Sequence, residues 1–101
     1  MKLLIITVVE AYQKDVFKLL KEADIKNFSE SDIDGYKNVS PVIMTSSWFP
    51  SKKGGAQSRM FFSFTENEKI EYLFKLIKTY NNKLETNNPI KAIVVPIENY
   101  I

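Results

Sequence analysis

Lys2-Leu3-Leu4-Ile5-Ile6-Thr7-Val8-Val9 is apolar at almost every position and rich in β-branched residues. Such a run reads as a strand covered on both faces, because alternate side chains point to opposite sides of a sheet. Leu3, Ile5 and Val9 fall on one face and Leu4, Ile6 and Val8 on the other. The run is too short for a buried helix and far short of the ~20 residues that cross a bilayer. A single Lys2 precedes it and no small-residue cleavage site follows, so the chain does not read as secreted and a cytoplasmic protein is expected.

Working outward, Tyr12, Val16, Leu19, Leu20 and Ala23 keep helical spacing, with Lys14, Lys18, Lys21 and Glu22 mostly opposite them. A first amphipathic helix is predicted. Residues 28–36 alternate imperfectly, with Glu30, Asp32 and Asp34 on one side, and read as a polar or edge strand ending at Gly35. Residues 59–64 form an aromatic-rich third strand. Thr65-Glu66-Asn67-Glu68 then has the form of a capping box, so a second helix should follow directly. Ile70, Leu73, Phe74, Ile77, Tyr80 and Leu84 give that helix its apolar stripe, and Asn87-Asn88-Pro89 is its expected stop. Residues 90–95 form a last strand, apolar on both faces, with Pro96 at its end.

The order β-α-β-β-α-β is that of a ferredoxin-like α+β fold: a four-stranded antiparallel sheet with two helices on one face. At 101 residues the chain is one domain, 1–101, able to bury roughly two-thirds of its unfolded surface. Two helices cover only one face of the sheet, yet the first and last strands are apolar on both. The uncovered face calls for sheet-to-sheet packing in a homo-oligomer, or for the long connection described next to fold back over it.

That connection, residues 38–58, includes Trp48-Phe49-Pro50-Ser51-Lys52-Lys53-Gly54-Gly55 and joins the second and third strands. Hairpin loops usually take about 2–5 residues, and one this long is typically functional or disordered. Trp48 and Phe49 supply apolar area and Lys52 and Lys53 two cations, the makings of a partner-contact hot spot. The other reading is that residues 42–44 extend the second strand and that Trp48 and Phe49 pack into the chain's own core.

Much chemistry is excluded. The absence of Cys and His removes disulfides, zinc fingers, thiolate nucleophiles and imidazole bases. A net charge of +2 does not mark a nucleic-acid protein. Residues 59–64 look faintly like an RNA-recognition strand but lack the glycines that let bases stack, so no nucleic acid is expected. Lys52-Lys53-Gly54-Gly55 is too short for a phosphate-binding loop. Glu30, Asp32 and Asp34 share a strand face that suits a hard cation, but a solvated face is the simpler reading and no metal site is assigned. No nucleophile with a base is evident, so no catalytic residue is named and no cofactor is indicated.

The opening strand, the helix ending Leu-Leu-Lys-Glu-Ala-Asp-Ile and Phe28-Ser-Glu-Ser-Asp-Ile-Asp-Gly-Tyr36 resemble the start of nitrogen-regulatory PII-like signalling proteins. Lys91-Ala-Ile-Val-Val-Pro-Ile-Glu98 is similar to the end of short PII-like chains, and residues 38–58 sit where that family carries its effector-contacting T-loop. The resemblance implies a cytoplasmic homotrimer with inward-facing sheets and small-molecule sites in the clefts between subunits. Its loops would dock on a partner protein such as a membrane transporter or an enzyme. Gly35, Tyr36, Lys37 and Arg59 would then border a ligand cleft at the loop base, for a nucleotide or anion, and Trp48, Phe49, Lys52 and Lys53 would carry the partner contact. Lys37 and Val39 stand where nucleotide-binding members have glycine and glutamine, and residues 81–89 contain no glycine, which marks a divergent member. The related divalent-cation-tolerance family shares the architecture, and a small oligomeric enzyme is the remaining alternative.

Overall fold

The computed structural model describes residues 1–36, 56–84 and 88–101. The order is β1 (Lys2–Val9), a 3-10 turn (Glu10–Tyr12), α1 (Gln13–Glu22), β2 (Ser29–Gly35), β3 (Ala56–Thr65), α2 (Asn67–Asn82) and β4 (Lys91–Pro96). The four strands form one sheet in the order β2-β3-β1-β4 with every neighbouring pair antiparallel. This is the ferredoxin-like arrangement expected from the alternation of strands and helices.

The register sorts the side chains. Leu4, Ile6 and Val8 of β1 share a face with Phe61 of β3 and with Ala92 and Val94 of β4, because directly paired residues point the same way. Both helices cover this face. Val16 and Leu20 of α1 and Ile70, Leu73 and Ile77 of α2 complete a single buried core with Ile25 and Ile90. A fully buried Leu or Ile adds about 1.5–3 kcal/mol, so this face supplies most of the stability. Phe17, Phe28 and Phe61 close one side with ring centroids 5.3–5.8 Å apart.

Helix ends depart from the sequence expectation in two places. The capping box does not form: Thr65 is the buried last residue of β3, and Glu66 takes the N-cap position without a side-chain cap. Thr65 is drawn into the ladder by its pairing with Lys2, which takes it out of capping reach of α2. At the other end α2 stops at Asn82, leaving Leu84 outside it, before the expected Asn87-Asn88-Pro89 signal. There the Asn81 side chain is committed to Ile90 at the start of β4.

α1 ends on a Schellman motif. Ile25 N–H reaches Leu20 O at 2.9 Å, Asp24 N–H reaches Lys21 O at 3.0 Å, and Asp24 sits at φ 60°. Glycine usually takes this left-handed position, and Asp is among the few other residues that tolerate it. Buried Ile25 and Leu20 supply the apolar contact across the turn.

Candidate functional site

The face of the sheet opposite the helices is the largest candidate surface. Leu3, Ile5 and Val9 of β1 lie on it with Met60, Phe62 and Phe64 of β3, Ile33 of β2, and Ile93 and Val95 of β4. Leu3 pairs with both Phe64 and Val95, and Ile5 with both Phe62 and Ile93, so two apolar rows run across three strands. Phe64 is 57% exposed and Ile93 55%. No described element lies over these rows. Contiguous apolar surface of this kind marks an interaction site on a globular domain.

At one corner the face runs into a groove of about 450 Å³, lined by Lys26, Phe28, Ser29, Phe62 and Phe64 among others. The Phe62 and Phe64 rings meet edge-on at 6.4 Å. The connection from α1 forms the outer wall, held by a 2.6 Å hydrogen bond from the Ser63 hydroxyl to Asn27 O. In the sequence alone Phe62 and Phe64 read as core residues, and the structure overturns this: they lie on the face away from the helices, with Phe64 57% exposed. Only the register reveals that alternate ones face away from the helices.

The second candidate is the base of the long connection. β2 and β3 pair from Ser29↔Phe62 to Gly35↔Ala56, so the chain leaves and returns at adjacent ladder positions. Gly35 ends β2 and Tyr36 beyond it is 52% exposed. Arg59 lies three positions along β3 from Ala56, about 10 Å away, and is paired with Asp32. Its guanidinium meets the Asp32 carboxylate and lies 3.8 Å from Glu10. Gln13 meets Glu30 beside them. Gly35, Tyr36 and Arg59 thus lie at or near one end of the hairpin, with Arg59 held by two carboxylates. Lys37, Trp48, Phe49, Lys52 and Lys53 lie outside the described residues.

Glu30, Asp32 and Asp34 do share a strand face, as their spacing predicts. Asp32 turns to Arg59 and Glu30 to Gln13, and among the described residues no three acidic side chains converge as a metal site would require. Local spacing carries no hint of these partners, which lie 27 and 17 residues away.

Two further polar contacts tie the helices together. The Tyr80 hydroxyl donates to Asp15 Oδ2 at 2.5 Å, and Tyr12 meets the Tyr80 ring edge-on at 6.4 Å. Burial, reinforced by the hydrogen bond to the Asp15 carboxylate and its charge, pushes the Tyr80 phenol well above its usual range. Lys69 Nζ donates to Asp24 O at 2.9 Å and lies 3.3 Å from Asp24 Oδ2. The Lys69 hydrogen bond, with the charges of Lys26 and Lys69, holds the Asp24 carboxyl below its ordinary value. A phenol that resists ionisation makes a poor base, and both contacts read as struts between α1 and α2. No helix among the described residues is long and apolar enough to cross a membrane.

No protein-family model and no curated protein sequence matches the chain. Among solved structures it is similar to a crystal structure from Thermus thermophilus, provisionally described as a PII-like signaling protein, with a TM-score of 0.64 and 14% sequence identity. The similarity covers 95% of this chain and 85% of that one, so the described residues share the fold of that PII-like protein.

Proposed function

We propose that this chain is a PII-like regulatory protein, a cytoplasmic homotrimer whose copies cover one another's open sheet face. In this reading the connection contacts a partner protein, such as a membrane transporter or an enzyme, through Trp48, Phe49, Lys52 and Lys53; its expected bounds, 38–58, are shortened because β3 begins at Ala56 and takes residues 56–58 into the ladder with β2. A small effector, a nucleotide or another anion, binds at subunit clefts bordered by Gly35, Tyr36, Lys37 and Arg59. The role is regulatory and not catalytic.

The observation that carries the proposal is the pair of apolar rows Phe64-Leu3-Val95 and Phe62-Ile5-Ile93, over which no described element lies. A surface of this kind on a domain of this size is stabilised by burial against copies of itself. Further support comes from the shared fold and from the Gly35↔Ala56 pairing, between whose members the sequence carries far more residues than a hairpin needs.

Light scattering tests the assembly. It is expected to report about 35 kDa, three times the 11.7 kDa of one copy. A lone 11.7 kDa particle at micromolar concentration overturns the reading. A thermal-shift screen of nucleotides, bicarbonate, 2-oxoglutarate and divalent ions then tests the cleft, since a ligand that binds the folded state raises the melting temperature. Replacing residues 44–55 by a short turn is expected to leave assembly and melting temperature unchanged. A large loss of stability would show those residues to be part of the core.

A further inference from the structure

The groove beside Phe62 and Phe64 and the segment 97–101 lie at the same end of the sheet. Leu3 pairs with Phe64 on one side and with Val95 on the other, so the groove wall and the root of the segment share one row. Tyr100 is 81% exposed, and Glu98 is exposed beside it. A tyrosine left this open beyond the last strand invites burial elsewhere, since an aromatic ring with a polar tip is a frequent interface anchor.

We propose that segment 97–101 of one copy seats in the groove of its neighbour, with Tyr100 against the Phe62–Phe64 pair and Glu98 facing Lys26. The inference rests on the homotrimer reading and adds to it which surface meets which. Three observations favour a second copy as the occupant. The groove is continuous with the apolar face that the oligomer would bury. The charges are compatible, since Lys26 stands at the groove 3.5 Å from Asp24 with its side chain still 80% exposed, open to a second carboxylate, and the segment carries Glu98. The segment leaves from β4 at one edge of the sheet, whereas the groove lies by β2 and β3 at the other. Two different patches that complement each other make a head-to-tail contact, the kind that closes a ring of three and does not stop at a two-fold dimer. The segment's own groove lies about two strand spacings away, roughly 10 Å, within reach of five extended residues. Tyr100 nevertheless stays exposed and does not fill it.

The chain has no cysteine, so a paired substitution tests the contact cleanly. The double variant Lys26→Cys with Glu98→Cys, the two positions that face each other in the docked arrangement and are both exposed, keeps Tyr100 in place; it is oxidised mildly and run without reductant. A covalent ladder reaching three copies is expected, because each subunit is joined to the next on both sides, whereas either single variant stops at two. Monomers or pairs alone, with light scattering still reporting three copies, overturn the docking and leave the trimer standing. An internal 26–98 disulfide in a monomer band also overturns it. A lone 11.7 kDa particle before oxidation removes the trimer reading and the docking together. As a second measurement, Tyr100→Ala is expected to weaken assembly tenfold or more, as loss of an interface anchor does. Unchanged assembly would overturn the proposal.

Discussion

The Asn81 side chain grips the backbone of Ile90 at both ends of its amide. Its Nδ2 donates to Ile90 O at 2.9 Å, and its Oδ1 accepts from Ile90 N–H at 3.0 Å. Ile90 is buried, so the grip satisfies two backbone groups that water reaches poorly. It also ties the last turn of α2 to the start of β4 and so fixes the strand that carries one end of each exposed apolar row.

Removing this side chain should therefore cost more than an average surface substitution. Asn81→Ala leaves an N–H and a carbonyl without partners and is expected to destabilise by about 1–3 kcal/mol. Asn81→Asp keeps the acceptor but turns a second oxygen toward the Ile90 carbonyl, and should be no better tolerated. Urea unfolding checks both, with a lower midpoint and an unchanged slope.

Tyr80 predicts an alkaline limit. Its phenol ionises at higher pH in the folded chain than the ordinary value of 10.0, so the folded state holds the proton where the unfolded chain releases it. This contribution is complete below pH 10 and is lost as the pH rises toward the folded value. Melting temperature measured from pH 8 to 11.5 is expected to fall less steeply for Tyr80→Phe than for the wild type. Identical slopes would show that burial and the Asp15 contact together do not hold the proton on the phenol.

Asp24 predicts the opposite behaviour at low pH. Its folded value lies below 3.8, so its pairing with Lys69 and Lys26 stabilises the fold above that pH and is lost as the carboxyl protonates. Asp24→Asn keeps a residue that tolerates φ 60° and should remove this part of the acid sensitivity. Asp24→Val breaks the backbone requirement as well and should unfold at lower urea than Asp24→Asn. Comparison of the two by urea titration at pH 7 and pH 3 separates backbone from charge.

These contacts mark how far the sequence could be read. Both faces of β1 were legible, because Leu4, Ile6 and Val8 alternate with Leu3, Ile5 and Val9, with Thr7 the one polar interruption on the second face. The stripe of α2 was legible for the same reason of period. Its end was not, since Asn81 reaches a partner nine residues on across residues outside the helix. Thr65 had the form of a cap, but its ladder position opposite Lys2 took precedence. Asp24 sat in a turn that usually displays glycine, so its Schellman motif carried no signal. For the candidate site, the spacing of Glu30, Asp32 and Asp34 revealed their common face, but only the fold could supply Arg59 and Gln13 as their partners.

The two faces of the sheet should respond to substitution in opposite ways. Leu73 is fully buried between α2 and the sheet, and Leu73→Ala is expected to cost about 2–5 kcal/mol in unfolding free energy. Ile93 and Phe64 are more than half exposed on the other face, so Ile93→Asp and Phe64→Asp remove little packing from a single copy. Placed inside a sheet-to-sheet contact, however, each buries a carboxylate without a partner, which an apolar interface does not tolerate. Both aspartate variants are expected to keep the far-ultraviolet circular dichroism of the fold while light scattering reports single copies. If they assemble as the wild type does, the open face is not the surface that joins the copies.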